Sequence, residues 1–482
     1  MLAVAKSLRP SRPWMTAHTT PGLWTVSRRC LSTLAIETSC DDTSVAILEV
    51  DEPSSESPNP TKARANVVFH RTITANSSAY SGIHPLVALH SHQSVLGDLV
   101  AEALATWSRS GKSKPTFVSA TRGPGMRSNL DVGLHVAKGL SLAWGIPLVG
   151  VHHMQAHALT PRLCDTMAER EEGLAMAGED REISPAFPYL TVLASGGHTI
   201  LLRSAGLVEH HILAETGDIA IGDCLDKAAR AILPDEALQP PYGKALHDFA
   251  FPAGVADYKY APPPTRGDEL IRRPTNWGWS LGPPLAESKG REKTSRRMVY
   301  SFAGLLSSVE RFMRIVIDDK GTAQQALRDQ TRITAAERID MAREVLRVAF
   351  EHLTSRILLY LTEETRAAKL KASLLPQTTT VVVSGGVASS PYLRHVMRAM
   401  LDVRGFKHIN LIFPPPALCT DNALMIAWTG MEMYKAGYRS TLDIAPIRKW
   451  SMDSSATDGG ILGVGGWTLD SSPVTAIPLT PP

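Results

Sequence analysis

TLAIETSCDDTSVAILEV, from Thr33 to Val50, reads as an apolar strand, a tip of small and polar residues, and a second apolar strand. The same pattern returns in YLTVLASGGHTILLRSAG, Tyr189 to Gly206. Each copy leads to a strand, a glycine turn and a helix. In the first half this is TFVSATRGPGMRSNLDVGLHVAKGLSLAW (Thr116 to Trp144), where Leu130, Val136 and Leu140 fall at near-helical spacing. In the second it is TVVVSGGVASSPYLRHVMRAML (Thr380 to Leu401), whose VVV strand runs straight into Gly385 and Gly386. A further strand follows in each half, IPLVGV and then HINLIF. A duplicated α/β chain with small-residue loops at its strand ends predicts two similar lobes with a ligand cleft between them. The expected division is a first lobe over 34–150, a second over 151–450, and a tail over 451–482.

Length and composition suit a folded enzyme of two lobes: 482 residues, 44% hydrophobic and 20% charged. The longest apolar run, Gly139 to Val151, is too short to span a bilayer, so no membrane association is expected. Five scattered cysteines without a CxxC pair indicate neither a disulfide framework nor a cysteine zinc site. The first 36 residues carry Lys6, Arg9, Arg12, Arg28 and Arg29 and no acidic residue, which accounts for more than the whole net charge of +3. That is the composition of a mitochondrial transit peptide, placed over 1–33, and it sends the mature chain to the matrix. A tail of the same composition in a cytosolic protein is the other reading.

Glycine and hydroxyl residues at strand ends let backbone N–H groups approach an anion, as phosphate requires. Ser195, Gly196 and Gly197 form one such turn and Ser384, Gly385 and Gly386 another, read as counterparts in the two halves. No GxxxxGK[ST] sequence is present, and RGPGM does not complete a dinucleotide fingerprint.

VHHMQAHAL, Val151 to Leu159, places His153 and His157 at i and i+4, on one face of a helix and in reach of a single ion. Helix-start packing is the alternative for such a pair. The pair begins where a strand ends, and CTDN holds the corresponding place in the other half, so Asp421 is the candidate third ligand. Peptide hydrolysis by an HExxH site is excluded, because Met154 stands where its glutamate base is needed.

These motifs carry a resemblance over most of the chain. IETSCDDTSVAI, RGPGMRSNLDVGLHVAKGLS, VHHMQAH, SGGHT, GDCLDK, YSFAGL, SGGVAS and CTDNALMIA occur in the order seen in the tRNA N6-adenosine threonylcarbamoyltransferase family, and with its N-terminal extension the chain resembles a mitochondrial member. The resemblance implies an actin-like, sugar-kinase-like two-lobed fold. It also implies transfer of threonylcarbamoyl from threonylcarbamoyl-AMP, made by a separate synthase, to N6 of adenosine 37 in tRNAs reading codons that begin with A. The family's metal ligands fall on His153, His157 and Asp421, for one divalent zinc or iron ion per subunit. Its adenylate-binding positions fall on Leu193, Ala194, Ser195, Gly196, Gly197, Asp226, Gly243 and Ser390. A homodimer is expected.

Adenine's exocyclic amine is a poor nucleophile, so a base is expected late in attack; Asp41, at the first hairpin tip, is the candidate, a turn residue capping its own backbone being the alternative. Departures from the family pattern are Ser390 for asparagine, Gln155 and Ala156 between the histidines, Ala303 in SFAG, Tyr242 for glycine, and GDIAIGDCLDK. An insertion over about 258–299 interleaves basic residues with Trp277 and Trp279, either to contact tRNA or as a loop packed on the lobe. Gln324 to Leu361 reads as long core helices. Two rivals stay open: an ATPase or small-molecule kinase of the same fold, and a catalytically weakened assembly subunit.

Overall fold

The structure is a computed structural model that describes residues 29–52, 63–77, 80, 83–167, 182–286, 294–317, 323–371 and 378–470. Nearly all of the expected transit segment, part of the insertion (287–293) and the last twelve residues lie outside the described residues. The strands are β1 (Arg29–Glu37), β2 (Asp42–Glu52), β3 (Arg64–Thr74), β4 (Phe117–Gly123) and β5 (Leu148–His152), then β6 (Tyr189–Ala194), β7 (Thr199–Ser204) and β8 (His210–Glu215). A ribbon of β9 (Ile315–Ile317) and β10 (Ala323–Leu327) precedes β11 (Thr380–Ser384), β12 (Asn410–Ile412), β13 (Tyr438–Ser440) and β14 (Trp467–Leu469).

The expected duplication is visible in the sheet orders, β14-β13-β5-β4-β1-β2-β3 and β12-β11-β6-β7-β8. Each sheet holds an antiparallel meander, β1-β2-β3 or β6-β7-β8, extended from its first strand by two parallel strands, β4-β5 or β11-β12. Parallel strands buried on both faces need mostly small or apolar sequence, and β11 (TVVVS) and β4 (FVSATRG), small or apolar up to Arg122, supply it. This is the two-lobed α/β architecture that the repeated hairpins predict.

The helices are α1 (Pro85–Arg109), α2 (Arg127–Trp144), α3 (His153–Met167), α4 (Ile221–Ile232), α5 (Tyr242–Ala250), the short α6 (Arg266–Glu269), α7 (Ala303–Arg314), α8 (Ala335–Lys371), α9 (Pro391–Val403) and α10 (Ala423–Lys435). Within the span read as long helices, residues 324–327 form β10 instead, and the helix proper is α8, 37 residues long. Its Met341, Val345, Phe350, Leu353 and Ile357 are buried in the second lobe's core.

Two helices cross between the lobes. α3 leaves the first sheet from β5, yet Met154 and Ala158 pack with Leu193 and Leu202 of the second sheet. α10 follows the second sheet, yet Met425, Ala427, Trp428 and Met431 pack with Leu31, Ala46 and Phe117 of the first. A helix apolar all round must be buried all round, and α10 meets that need between the first sheet and α3. The division expected at residues 150 and 450 therefore does not follow the sheets. α10, β13 and β14 complete the first lobe, because this apolar helix and its trailing strands pack on that sheet.

The insertion is tied down by its tryptophans. Trp279 is buried in the second-lobe core with its indole N–H on Glu337 (3.0 Å), and Trp277 donates to Asp340 (2.8 Å), both on α8. The indoles anchor a packed loop, and the stacking-platform reading fails for Trp279. Among the described residues no helix is long and apolar enough to cross a membrane.

Candidate metal centre

Both crossing helices present their N-terminal ends at one point. His153 and His157 occupy the first turns of α3, and Asp421 lies two residues before α10, in the loop that Asn422 caps by accepting the Met425 N–H (3.0 Å). Asp421 Oδ1 is 3.1 Å from His157 Nε2 and 3.4 Å from His153 Nε2, and the three ligand atoms lie within 4.8 Å of one another. Ligands at 2.0–2.1 Å around a tetrahedral ion stand about 3.3 Å apart, so two imidazoles and a carboxylate at these spacings fit a divalent ion of borderline softness. The i, i+4 spacing brings the rings together at a centroid separation of 4.8 Å.

The electrostatics ask for a cation. Burial alone would lower the His153 pKa, but the charges of Asp421 and Glu37 outweigh it and push it up to about 10. Burial alone would raise Asp421, but His153 and His157 hold its carboxyl well below the usual range. His152, the third histidine of the stretch, points away, bonded to the Trp450 carbonyl (3.2 Å) and pushed down to about 3 by burial.

Glu37 is a site residue the sequence reading missed. It is fully buried at the end of β1, its Oε2 is 3.3 Å from His153 Nδ1, and its Oε1 accepts the Ser39 N–H (2.5 Å). A carboxylate behind a ligating imidazole fixes the ring's orientation and leaves Nε2 for the metal. The signal was an acid at the end of an apolar strand inside IETSCDD. Replacing Glu37 with glutamine is expected to weaken metal retention about tenfold or more. Competition with a chelator measures this, and unchanged metal affinity would remove the assignment.

The second lobe supplies a polar wall. The loop after β6 is a tight turn: Ser195 N–H donates to the His198 carbonyl (2.9 Å), His198 N–H to Ser195 Oγ (3.1 Å), and Gly222 N–H to the Ser195 carbonyl (3.1 Å). A Cβ on Gly196 or Gly197 would meet nothing, so this edge faces open space. Burial lowers the His198 pKa and the charges of His153 and His157 lower it further, so the loop lies near the candidate ligands. Ser384 adds a link by donating its hydroxyl to the His157 carbonyl (3.1 Å).

The two glycine turns are not counterparts in opposite halves. Both stand on the second sheet, at the ends of the adjacent parallel strands β6 and β11, with Gly385 pressed against the Ala194 backbone. The topological counterpart of Gly385 and Gly386 is Gly123 to Gly125, after β4.

Asp226 on α4 accepts a hydrogen bond from the Gly243 backbone at the start of α5, and burial pushes its pKa up. A Cβ on Gly243 would sit 3.6 Å from Asp226 Oδ1, so the two residues share a site. Ser390 caps α9 by accepting the Leu393 N–H (3.4 Å), which leaves its own hydroxyl proton to donate elsewhere. α4, which carries Asp226, packs against the 386–389 turn that leads into Ser390. Asp41 stands at the first-lobe tip, half-buried; burial raises its carboxyl pKa and the nearby Asp421 charge adds to this, against hydrogen bonds from the Cys40 thiol and from its own backbone N–H, the contact that the capping alternative expects.

Comparison with known proteins agrees with this geometry. A sequence model described as tRNA N6-adenosine threonylcarbamoyltransferase matches residues 66–428. A mitochondrial tRNA N6-adenosine threonylcarbamoyltransferase of Schizosaccharomyces pombe is 36% identical, covering 92% of each chain. Enzymes of the same name from Bartonella tribocorum (30% identical, 90% of this chain, 98% of theirs) and Novosphingobium aromaticivorans (31%, 88% and 96%) are also similar.

Proposed function

Because this chain belongs to the tRNA N6-adenosine threonylcarbamoyltransferase family, we propose that it transfers threonylcarbamoyl from threonylcarbamoyl-AMP to N6 of adenosine 37 in mitochondrial tRNAs that read codons beginning with A, releasing AMP. The observation that carries the reading is the His153–His157–Asp421 cluster at the seam of the lobes, beside a glycine loop that faces open space.

The three residues would hold one divalent ion, zinc or iron, which when bound supplies positive charge to offset the anionic acyl-adenylate. The wall of Leu193, Ala194, Ser195, Gly196 and Gly197 takes the phosphate and adenine at close range, and Asp226 with Gly243 and Ser390 holds the ribose by hydrogen bonds. The N6 amine then attacks the carbamoyl carbon. An N–C bond forms, the C–O bond to phosphate breaks, and the electron pair leaves on AMP. The amine proton goes to Asp41, whose raised pKa makes it a better acceptor than an ordinary carboxylate. A separate synthase supplies the adenylate, and the chain acts as a homodimer in the matrix.

The test is to incubate metal-loaded protein with threonylcarbamoyl-AMP and mitochondrial tRNA and to measure the modified nucleoside by mass spectrometry. Product formation is expected, with an Asp41→Asn enzyme slower by about 100-fold in a single turnover. A folded, metal-loaded protein without product would sink the transferase reading. Full single-turnover activity in Asp41→Asn would remove only the role of Asp41.

A further inference from the structure

The stripe that buries α1 contains one imidazole: His92 faces the core with Ala88, Leu96, Leu99 and Ala103, and it is fully buried. An imidazole in that place is costly unless both nitrogens are bonded, and both are. His92 Nε2 is 3.0 Å from the Cys40 carbonyl, and Nδ1 is 2.7 Å from Thr43 Oγ1. A carbonyl only accepts, so Nε2 carries the hydrogen. Burial lowers the ring's pKa and keeps it neutral, so Nδ1 accepts from the Thr43 hydroxyl.

The Cys40 carbonyl also accepts from Asn129 Nδ2 (2.8 Å), which fills both of its lone pairs. On the other side of Asp41, its own carbonyl accepts the Ala75 N–H (2.9 Å). The peptide planes before and after Asp41 are therefore both pinned, by α1 and α2 on one side and the end of β3 on the other. None of these bonds touches a proposed metal ligand. The Asp41 carboxyl itself accepts from the Cys40 thiol and from its own backbone N–H.

We propose that His92 is a positioning residue for the transfer step, holding the Cys40–Asp41 peptide so that the Asp41 carboxylate meets the attacking amine. This rests on the reading of Asp41 given above. A 1 Å displacement of a reacting group far from the change can cost about 100-fold, so a lost contact at this peptide acts on rate rather than on binding.

The experiment is a double-mutant cycle on the metal-loaded full chain, read as the single-turnover rate from threonylcarbamoyl-AMP, together with metal content and adenylate affinity. His92→Asn, which withdraws the donor from Cys40, is expected to slow transfer about 10- to 100-fold with metal content and adenylate affinity unchanged. His92→Gln, whose amide reaches the Nε2 position, should recover most of the rate. In an Asp41→Asn background, His92→Asn should cost no more than about twofold, because the two act as one unit. Additive losses, or full rate in His92→Asn while Asp41→Asn is slow, would overturn the proposal. Should His92→Asn fail to fold, Thr43→Val in the same cycle decides it by the same two outcomes. An Asp41→Asn enzyme of full rate shows instead that the Asp41 reading has failed, and this inference with it.

Discussion

His153→Ala is expected to empty the metal centre and to slow threonylcarbamoyl transfer by about a thousandfold, since charge stabilisation by a bound ion is worth several kcal/mol. The imidazole is one of only three candidate ligands in the cluster, and its Nε2 shares Asp421 Oδ1 with His157. Losing it leaves Glu37 buried without its 3.3 Å partner, a further cost at the same point. With no ion bound, the charges of Asp421 and Glu37 push the His153 pKa up to about 10. An incoming ion must displace the imidazole proton, so apparent metal affinity should rise by about tenfold per pH unit below that value. Metal analysis of purified protein and single-turnover assays check both statements. A His153→Ala protein with full metal content and full rate would fit neither a transferase metal site nor this geometry. A kinase of the same fold would instead hold magnesium through carboxylates and water, and would tolerate the loss of an imidazole.

The second large effect is expected from Gly385→Ala. Gly385 sits at φ +93° and ψ 165°, a region that essentially only glycine enters. A Cβ there would meet the Ala194 carbonyl carbon at 2.8 Å and its nitrogen at 3.2 Å, both backbone atoms without freedom to swing aside. Strain and displacement together should cost about 2–4 kcal/mol of stability. The movement falls on Ala194, inside the wall read as the adenylate site, so adenylate affinity should drop about 10- to 100-fold while metal content stays intact. Thermal unfolding and adenylate titration measure the two parts separately. A variant with unchanged melting temperature and affinity would mean that the β6 and β11 turns do not depend on this contact.

Several parts of the fold were legible because their cause is local. The repeated hairpins announce themselves by alternation around a polar tip, and β1-β2 and β6-β7 are formed as read. His153 and His157 share a helix face whatever surrounds them, so their pairing needed only spacing. Asp421 needed the duplication as well, since it lies 264 residues from His157. Glu37 escaped notice because its partner is 116 residues away and nothing nearby marks a buried acid from a strand-end acid. His92 escaped for the same reason, an imidazole in an apolar stripe whose two partners come from the hairpin tip. The two glycine turns were paired wrongly because adjacent parallel strands of one sheet, far apart in sequence, look like equivalent strands of two. The lobe boundaries failed because a strand pattern does not say which sheet α10 will cover.

The return of the chain through α10 to the first sheet also sets an order of assembly. Residues 29–152 emerge first with five of the seven strands of their sheet, but Phe117 meets its stacking partner Tyr434 (4.3 Å) only after nearly the whole chain is present. Asp421 arrives on the same late segment. The three candidate ligands can therefore come together only after residue 421 has been made.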